Sequence, residues 1–95
     1  MGIVRSAARI AKKDRVLALT VDVGEPEPRA IVAGIAKSYA PDELVGLRVV
    51  VVANLVPRSF GAGLVSHGML LTTETPDGLR LLVPDAASPA GAVVR

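Results

Sequence analysis

A chain of 95 residues can form one small domain and is too short to hold two independent cores. Hydrophobic residues make up 51% of it, which excludes a disordered tail, and aromatic residues only 2%, so the core must be built from aliphatic side chains. The chain has no cysteine, which excludes disulfides, thiol catalysis and Cys-ligated metals and is typical of a cytoplasmic protein, the location we expect.

Charge is distributed unevenly along the chain, although the net charge is only +2. The first 15 residues hold five basic side chains and one acidic one, whereas the rest of the chain holds six basic and eight acidic ones. A polyanion is therefore the partner to test, although exposed Lys and Arg often do no more than solvate a surface. No apolar run reaches the roughly 18 residues of a membrane span, so no membrane contact is expected. The five basic residues are Arg5, Arg9, Lys12, Lys13 and Arg15.

The first half of the chain predicts three strands. Residues 16–23 alternate apolar side chains with small or polar ones, which predicts a half-buried strand with Leu17, Leu19 and Val21 on one face. A glycine and two prolines end this strand, and an apolar pattern resumes over 29–35, so we expect a hairpin with a loop of four to six residues.

The preceding segment, residues 3–10, can also be extended, and then Arg5 and Arg9 share one face. The second half begins with a Pro-Asp-Glu segment at 41–46 that predicts a short helical connector. Four consecutive valines, Val49–Val52, predict a strand that is buried on both faces.

The remaining segments predict a flexible Gly-Ala-Gly loop at 61–63 and strands at 68–73 and 79–83, joined by a Pro-Asp-Gly turn. Five to six short strands with one short helical connector favour an all-β, small Greek-key barrel of the OB type. In that fold the loop between the first two strands contacts oligonucleotides, and here it contains the basic residues at 11–14.

The sequence contains several ordered blocks: Val21-Asp22-Val23-Gly24-Glu25, residues 29–35, residues 39–46, residues 49–55 followed by Pro57-Arg58, and Ser66-His67-Gly68-Met69-Leu70-Leu71. Together these blocks resemble the tRNA-binding OB domain family. Its members include the C-terminal domain of many methionyl-tRNA synthetases, free-standing bacterial tRNA-binding proteins and export-related chaperone-like proteins.

The resemblance implies an OB barrel that holds tRNA by its shape and backbone without catalysis, commonly as a homodimer. It places the RNA-binding surface around Asn54, Arg58, Ser66 and Met69. Two features depart from the family pattern. Ser59 stands where a lysine commonly follows the Pro-Arg pair, and the chain begins almost at its first strand, so we expect the single domain, residues 1–95, to lack the usual N-terminal dimerisation residues.

Individual site residues each have more than one interpretation. An amide at Asn54 can read a base edge or cap its own turn. Met69 can offer an apolar contact to a base, although a methionine at the start of an apolar strand more often packs in the core. Phe60 can stack on a base or anchor its loop. Ser66 and His67 are adjacent in a strand and so point to opposite faces, which argues against a nucleophile and base pair.

With one histidine and no cysteine, we expect neither a metal site, nor a cofactor, nor an enzyme activity. Together with these absences, the family resemblance implies a non-catalytic tRNA-binding module, acting in trans or as part of methionyl-tRNA synthetase, with tRNA and that synthetase as its expected partners. The alternative is a chaperone-like protein that binds unfolded polypeptides. The predicted RNA-binding residues are Arg5, Arg9, Lys12, Lys13, Arg15, Asn54, Arg58, Ser66, His67 and Met69.

Overall fold

The computed structural model describes residues 1–61, 63–85 and 87–94. It consists of short strands with one four-residue helix, in the order β1 Gly2–Ile10, β2 Lys13–Asp22, β3 Arg29–Ala33, α1 Pro41–Leu44, β4 Arg48–Val49, β5 Val51–Val52, β6 Arg58–Ser59, β7 Val65–Ser66, β8 Met69–Leu70, β9 Thr72–Thr75 and β10 Gly78–Leu81. The predicted all-β fold with one helical connector is confirmed. The second half of the described chain is divided into more and shorter strand segments than the sequence predicts.

The strands curl into an OB-type half barrel. β3, β2, β1 and β4 form one antiparallel sheet in that order. Three further antiparallel pairs, β5 with β8, β6 with β7 and β9 with β10, complete the fold. The loop between β2 and β3 spans six residues, as the proline-rich sequence predicts.

The core is aliphatic and lies against the inner face of the four-stranded sheet. Leu17, Leu19 and Val21 are 0%, 2% and 0% exposed, which confirms the face predicted from their period of two. Leu44 from α1 is also fully buried and packs on these strands, while the other three residues of that helix are wholly or partly accessible. Among the described residues, no helix is long and apolar enough to cross a membrane.

The valine run does not form the single, doubly buried strand that the sequence predicts. β4 pairs with β1, whereas β5 pairs with β8, and the chain bends at Val50 between them. The carbonyl of Val50 still accepts a hydrogen bond from the Leu71 amide, at 3.1 Å, so the bend leaves the ladder closed. Val49 is fully buried, but the three valines that follow it are half-buried, because the run passes from one side of the barrel to the other.

The prediction that Arg5 and Arg9 share a face is wrong, because β1 contains a β-bulge. The pairing of β1 with β2 shifts by one residue at Arg5, and a bulge reverses the alternation of the side chains that follow it. Arg5 forms an ion pair of 2.9 Å with Asp22 on the outer face of the sheet. Arg9 instead lies opposite Leu17, a core residue.

Candidate nucleic-acid interface

The turn between β1 and β2 gathers three of the predicted basic residues around one concavity. Arg9, Lys12 and Lys13 line a depression of about 440 Å³, together with one acidic residue, Asp14, and two aliphatic ones. A single carboxylate among three cations leaves the depression positively charged, which suits a phosphate. We refer to this depression, lined by Arg9, Ile10, Lys12, Lys13, Asp14 and Val16, as the basic pocket.

Lys13 connects the basic pocket to a second hairpin, formed by β6 and β7. Its Nζ lies 3.8 Å from the position that a Cβ on Gly61 would occupy. The flexible loop that the sequence predicts at 61–63 includes residue 62, which lies outside the described residues. On either side of it, the Phe60 amide donates to the Leu64 carbonyl at 2.8 Å and the Leu64 amide to the Gly61 carbonyl at 2.9 Å. Gly61 of this hairpin therefore lies beside the basic pocket.

Arg58 and Phe60 of the same hairpin line an apolar groove of about 420 Å³. The guanidinium of Arg58 stands over the Phe60 ring, with its Cζ 5.0 Å from the ring centre, which is a cation–π contact. Leu55 and Val56 on its wall are 46% and 89% exposed. We call this feature the apolar groove; its lining is Val32, Leu55, Val56, Arg58, Phe60, Ser66, Gly68 and Met69.

Ser66 does not present its hydroxyl to a ligand, contrary to the sequence prediction. Ser66 is only 3% exposed. Its Oγ accepts a hydrogen bond from the Val32 amide at 2.9 Å and donates one to the Gly68 carbonyl at 2.8 Å. A buried hydroxyl with both of these bonds made has little left to offer RNA. Ser66 instead fixes the turn before β8 onto β3, and thereby shapes the floor of the apolar groove.

The other residues of the motif loops are accessible. Met69 is 50% exposed and lines the apolar groove, so the interpretation of Met69 as a core residue is wrong. It begins β8, and because the next residue, Leu70, is buried, the alternation of the strand turns Met69 outward. Asn54 is exposed and its side chain has no hydrogen bond to any residue that the structure describes. His67 is exposed too, although its amide donates to the Ala30 carbonyl.

The two remaining basic residues are not in the basic pocket. Arg5 is held by Asp22 on the outer face, and Arg15 is exposed on β2 without lining the depression. The structure thus brings Arg9, Lys12 and Lys13 together and leaves Arg5 and Arg15 on its flanks.

Sequence reasoning missed Arg29, which holds three loops together. Its Nε and Nη2 donate to both carboxylate oxygens of Glu25 at 2.7 and 2.9 Å. Its Nη1 donates to the carbonyls of Ala53, at 2.6 Å, and His67, at 2.8 Å. The sequence offers one signal of this contact: Glu25 and Arg29 are oppositely charged, lie four residues apart and enclose two prolines. The carbonyl partners of Arg29 could not be predicted, because they are 24 and 38 residues away.

Acid should destabilise the fold partly through the ion pair of Glu25 and Arg29. The side-chain hydrogen bonds of Arg29 lower the pKa of Glu25, and the Gly24 amide and Arg5 lower the pKa of Asp22. A carboxylate with a lowered pKa stabilises the fold above its ordinary pKa, and this contribution is lost as the pH falls through the folded value. We therefore expect the melting temperature to fall below about pH 4, and to fall less steeply in Glu25→Gln. Thermal melts from pH 7 to 3 test this, and parallel curves would contradict it.

Lys12 has a positive φ of 65°, unlike any other described residue except glycines. A positive φ costs a non-glycine residue about 1 kcal/mol of folding free energy. Glycine avoids this cost but loses more conformational entropy on folding, which offsets part of the gain. Lys12→Gly should therefore raise the free energy of unfolding by about 0.5 kcal/mol and at the same time weaken binding of a polyanion. Lys12→Ala is the control, because it removes the charge and keeps the strained backbone. Equal melting temperatures for the two variants would refute the expectation.

Comparison with known proteins gives a consistent result. The model of the tRNA binding domain family matches residues 1–93. A methionine-tRNA ligase from Methanothrix thermoacetophila is 50% identical over 95 residues, which is all of this chain and 14% of the ligase. The chain thus spans about one seventh of that relative's length.

Two solved structures show the same fold. A MetRS related protein from Pyrococcus horikoshii has a TM-score of 0.88 and 40% identity, with 99% of this chain and 85% of that one covered. A CsaA chaperone protein from Picrophilus torridus has a TM-score of 0.88 and 25% identity, with 99% and 87% covered. With a family match over nearly every residue and an OB-type barrel that carries a basic pocket, this chain belongs to the tRNA binding domain family.

Proposed function

We propose that this domain binds tRNA and catalyses no reaction, either as a part of methionine-tRNA ligase or as its partner in trans. The proximity of Lys13 to the β6–β7 hairpin carries the proposal, because it sets the basic pocket beside the hairpin that holds Arg58. The relationship to a methionine-tRNA ligase supports the biological setting, and that setting favours the cytoplasm.

The proposed mechanism is tethering. Arg9, Lys12 and Lys13, with Arg58 on the neighbouring hairpin, would contact phosphates of the folded RNA. A few such contacts give modest affinity that falls steeply with salt, and A-form RNA is recognised mostly by shape. When the module is joined to a ligase, it raises the effective concentration of tRNA at that enzyme without a new contact at the active site.

A non-catalytic role agrees with how Ser66 is held. Its hydroxyl proton points to the Gly68 carbonyl and is not shared with His67, so the one adjacent serine and histidine pair forms no nucleophile and base. The homodimer that the family resemblance implies stays a prediction, and sedimentation of the isolated chain over a range of concentrations tests it.

The apolar groove supports a second candidate function, the binding of unfolded polypeptides. The apolar groove presents Leu55, Val56 and Met69, which are 46%, 89% and 50% exposed, and exposed apolar surface is typical of polypeptide-binding proteins. The similarity to chaperone proteins of the same fold points the same way. The two functions differ in their dependence on charge, since apolar capture of a polypeptide does not weaken with salt.

A competition titration separates the two candidates. Labelled bulk tRNA is titrated with the protein at about 50 and 200 mM salt, and an unfolded polypeptide and an unstructured polynucleotide serve as competitors. We expect binding that prefers tRNA and falls at least tenfold between the two salt concentrations. Retention of the polypeptide with indifference to tRNA would establish the chaperone-like function instead.

A further inference from the structure

We propose that the apolar groove is a subsite for one unpaired nucleobase of the bound RNA, which stacks against the Arg58 and Phe60 pair. The inference rests on the proposed function and adds to it the chemical group that this part of the surface takes. Three observations support it: the shape of the groove, the hydrogen bonds that already occupy the polar side chain at its floor, and the cations near it.

The groove has the form of a small-ligand site. Its volume of about 420 Å³ lies within the range typical of such sites and exceeds what a single base needs. Leu55, Val56 and Met69 supply apolar walls, and Phe60 with the guanidinium above it supplies a flat platform. Planar aromatic rings and guanidinium groups are the surfaces on which proteins stack splayed bases.

The floor of the groove has no spare side-chain polar group among its described residues. Ser66 uses its hydroxyl on Val32 and Gly68, and Gly68 itself packs so closely that an added Cβ would lie 3.3 Å from Ile31 and Val51. A base in the groove would thus meet apolar contact instead of hydrogen-bond readout. Stacking of this kind tolerates any base, so we expect little sequence preference.

The charges select a nucleotide over an apolar peptide segment. Arg58 is exposed and lines the groove, and Lys13 lies beside Gly61 of the same hairpin. The described lining of the groove includes no acidic side chain. An apolar groove with one cation in its lining and further cations near the same hairpin matches a base with its backbone phosphates, whereas an unfolded apolar peptide needs no cation.

A fluorescence experiment tests the subsite directly. The chain has no tryptophan, so Phe60→Trp introduces a single indole at the platform. The probes are a hexaadenylate RNA and an abasic hexamer with the same phosphates, each with a 5′ label whose anisotropy measures bound fraction. At equal bound fraction, we expect hexaadenylate to quench the indole and the abasic hexamer to leave it unchanged. Equal emission with both probes would overturn the proposal.

Affinity provides a second readout. Phe60→Leu keeps an apolar side chain but removes the stacking surface, and should weaken hexaadenylate binding about tenfold and abasic binding not at all. Arg80→Ala is the matched control, since Arg80 stands 5.4 Å over the Tyr39 ring outside the groove. Unchanged hexaadenylate affinity in Phe60→Leu overturns the subsite.

The outcomes also distinguish this subsite from the function on which it rests. If the wild-type protein binds tRNA but the indole of Phe60→Trp is not quenched in the RNA complex, only the subsite is overturned. Wild-type protein that binds neither tRNA nor hexaadenylate would remove the proposed function. An unfolded polypeptide that quenches the indole and displaces the RNA would identify the groove as a peptide site and overturn the proposal.

Discussion

Reversing the charges of Lys12 and Lys13 together should lower the affinity for tRNA at least tenfold at about 0.1 M salt and reduce the slope of log K against log salt by about two. Both residues line the basic pocket, and each reversal removes one phosphate contact and adds a repulsion. The fold should survive, because Lys12 is exposed and Lys13 is only half-buried. Titrations at four salt concentrations measure both quantities.

The control for this effect is a charge reversal elsewhere on the surface. Arg80→Glu changes the net charge by the same amount as Lys12→Glu alone, but Arg80 lies on β10 and lines neither the basic pocket nor the apolar groove. It should leave the salt slope nearly unchanged. If Arg80→Glu and Lys12→Glu weaken binding equally, the RNA responds to net charge, and the basic pocket is not its contact site.

Arg29→Ala should cost about 3 kcal/mol of unfolding free energy, the largest stability effect that we expect from a partly exposed residue. The change removes both bonds to Glu25 and leaves the carbonyls of Ala53 and His67 without their donor. Because these carbonyls flank Asn54 and the turn before Met69, tRNA affinity should fall as well. Urea denaturation measures the first effect and titration below the melting range the second.

Two milder variants at the same contact separate charge from geometry. Arg29→Lys keeps the cation but cannot bridge a carboxylate and two carbonyls at once, so it should recover less than half of the lost stability. Glu25→Ala leaves both carbonyl bonds in place and should cost less than Arg29→Ala. A melting temperature of Arg29→Ala equal to that of the wild type would show that the three loops are held without this side chain.

Those parts of the fold that depend on local periodicity could be predicted from the sequence. The alternation through Leu17, Leu19 and Val21 identified the buried face, and the Pro-Asp-Glu segment identified the helical connector, since both signals arise within a few residues. The division of the valine run could not be predicted. Its two halves pair with strands from distant parts of the chain, and valine favours a strand in either pairing.

For the candidate site, the sequence indicates which basic residues lie together where they are adjacent in the chain, and it does not reveal contacts between distant residues. The adjacent Lys12 and Lys13 were placed in one pocket by the turn that contains them. The bulge at Arg5 separated that residue from Arg9, and no residue type marks a bulge of this kind. The buried hydroxyl of Ser66 depends on Val32, 34 residues away, which a local motif cannot reveal.

The bend at Val50 has a consequence for synthesis of the chain. β4 pairs with β1, which has already left the ribosome, but β5 must wait for β8, whose residues follow about 20 positions later. Until then, half of a four-valine segment lies at an open strand edge, and such segments are prone to self-association. Variants that weaken the pairing of Met69 and Leu70 should therefore lose yield to aggregation beyond what their equilibrium stability implies.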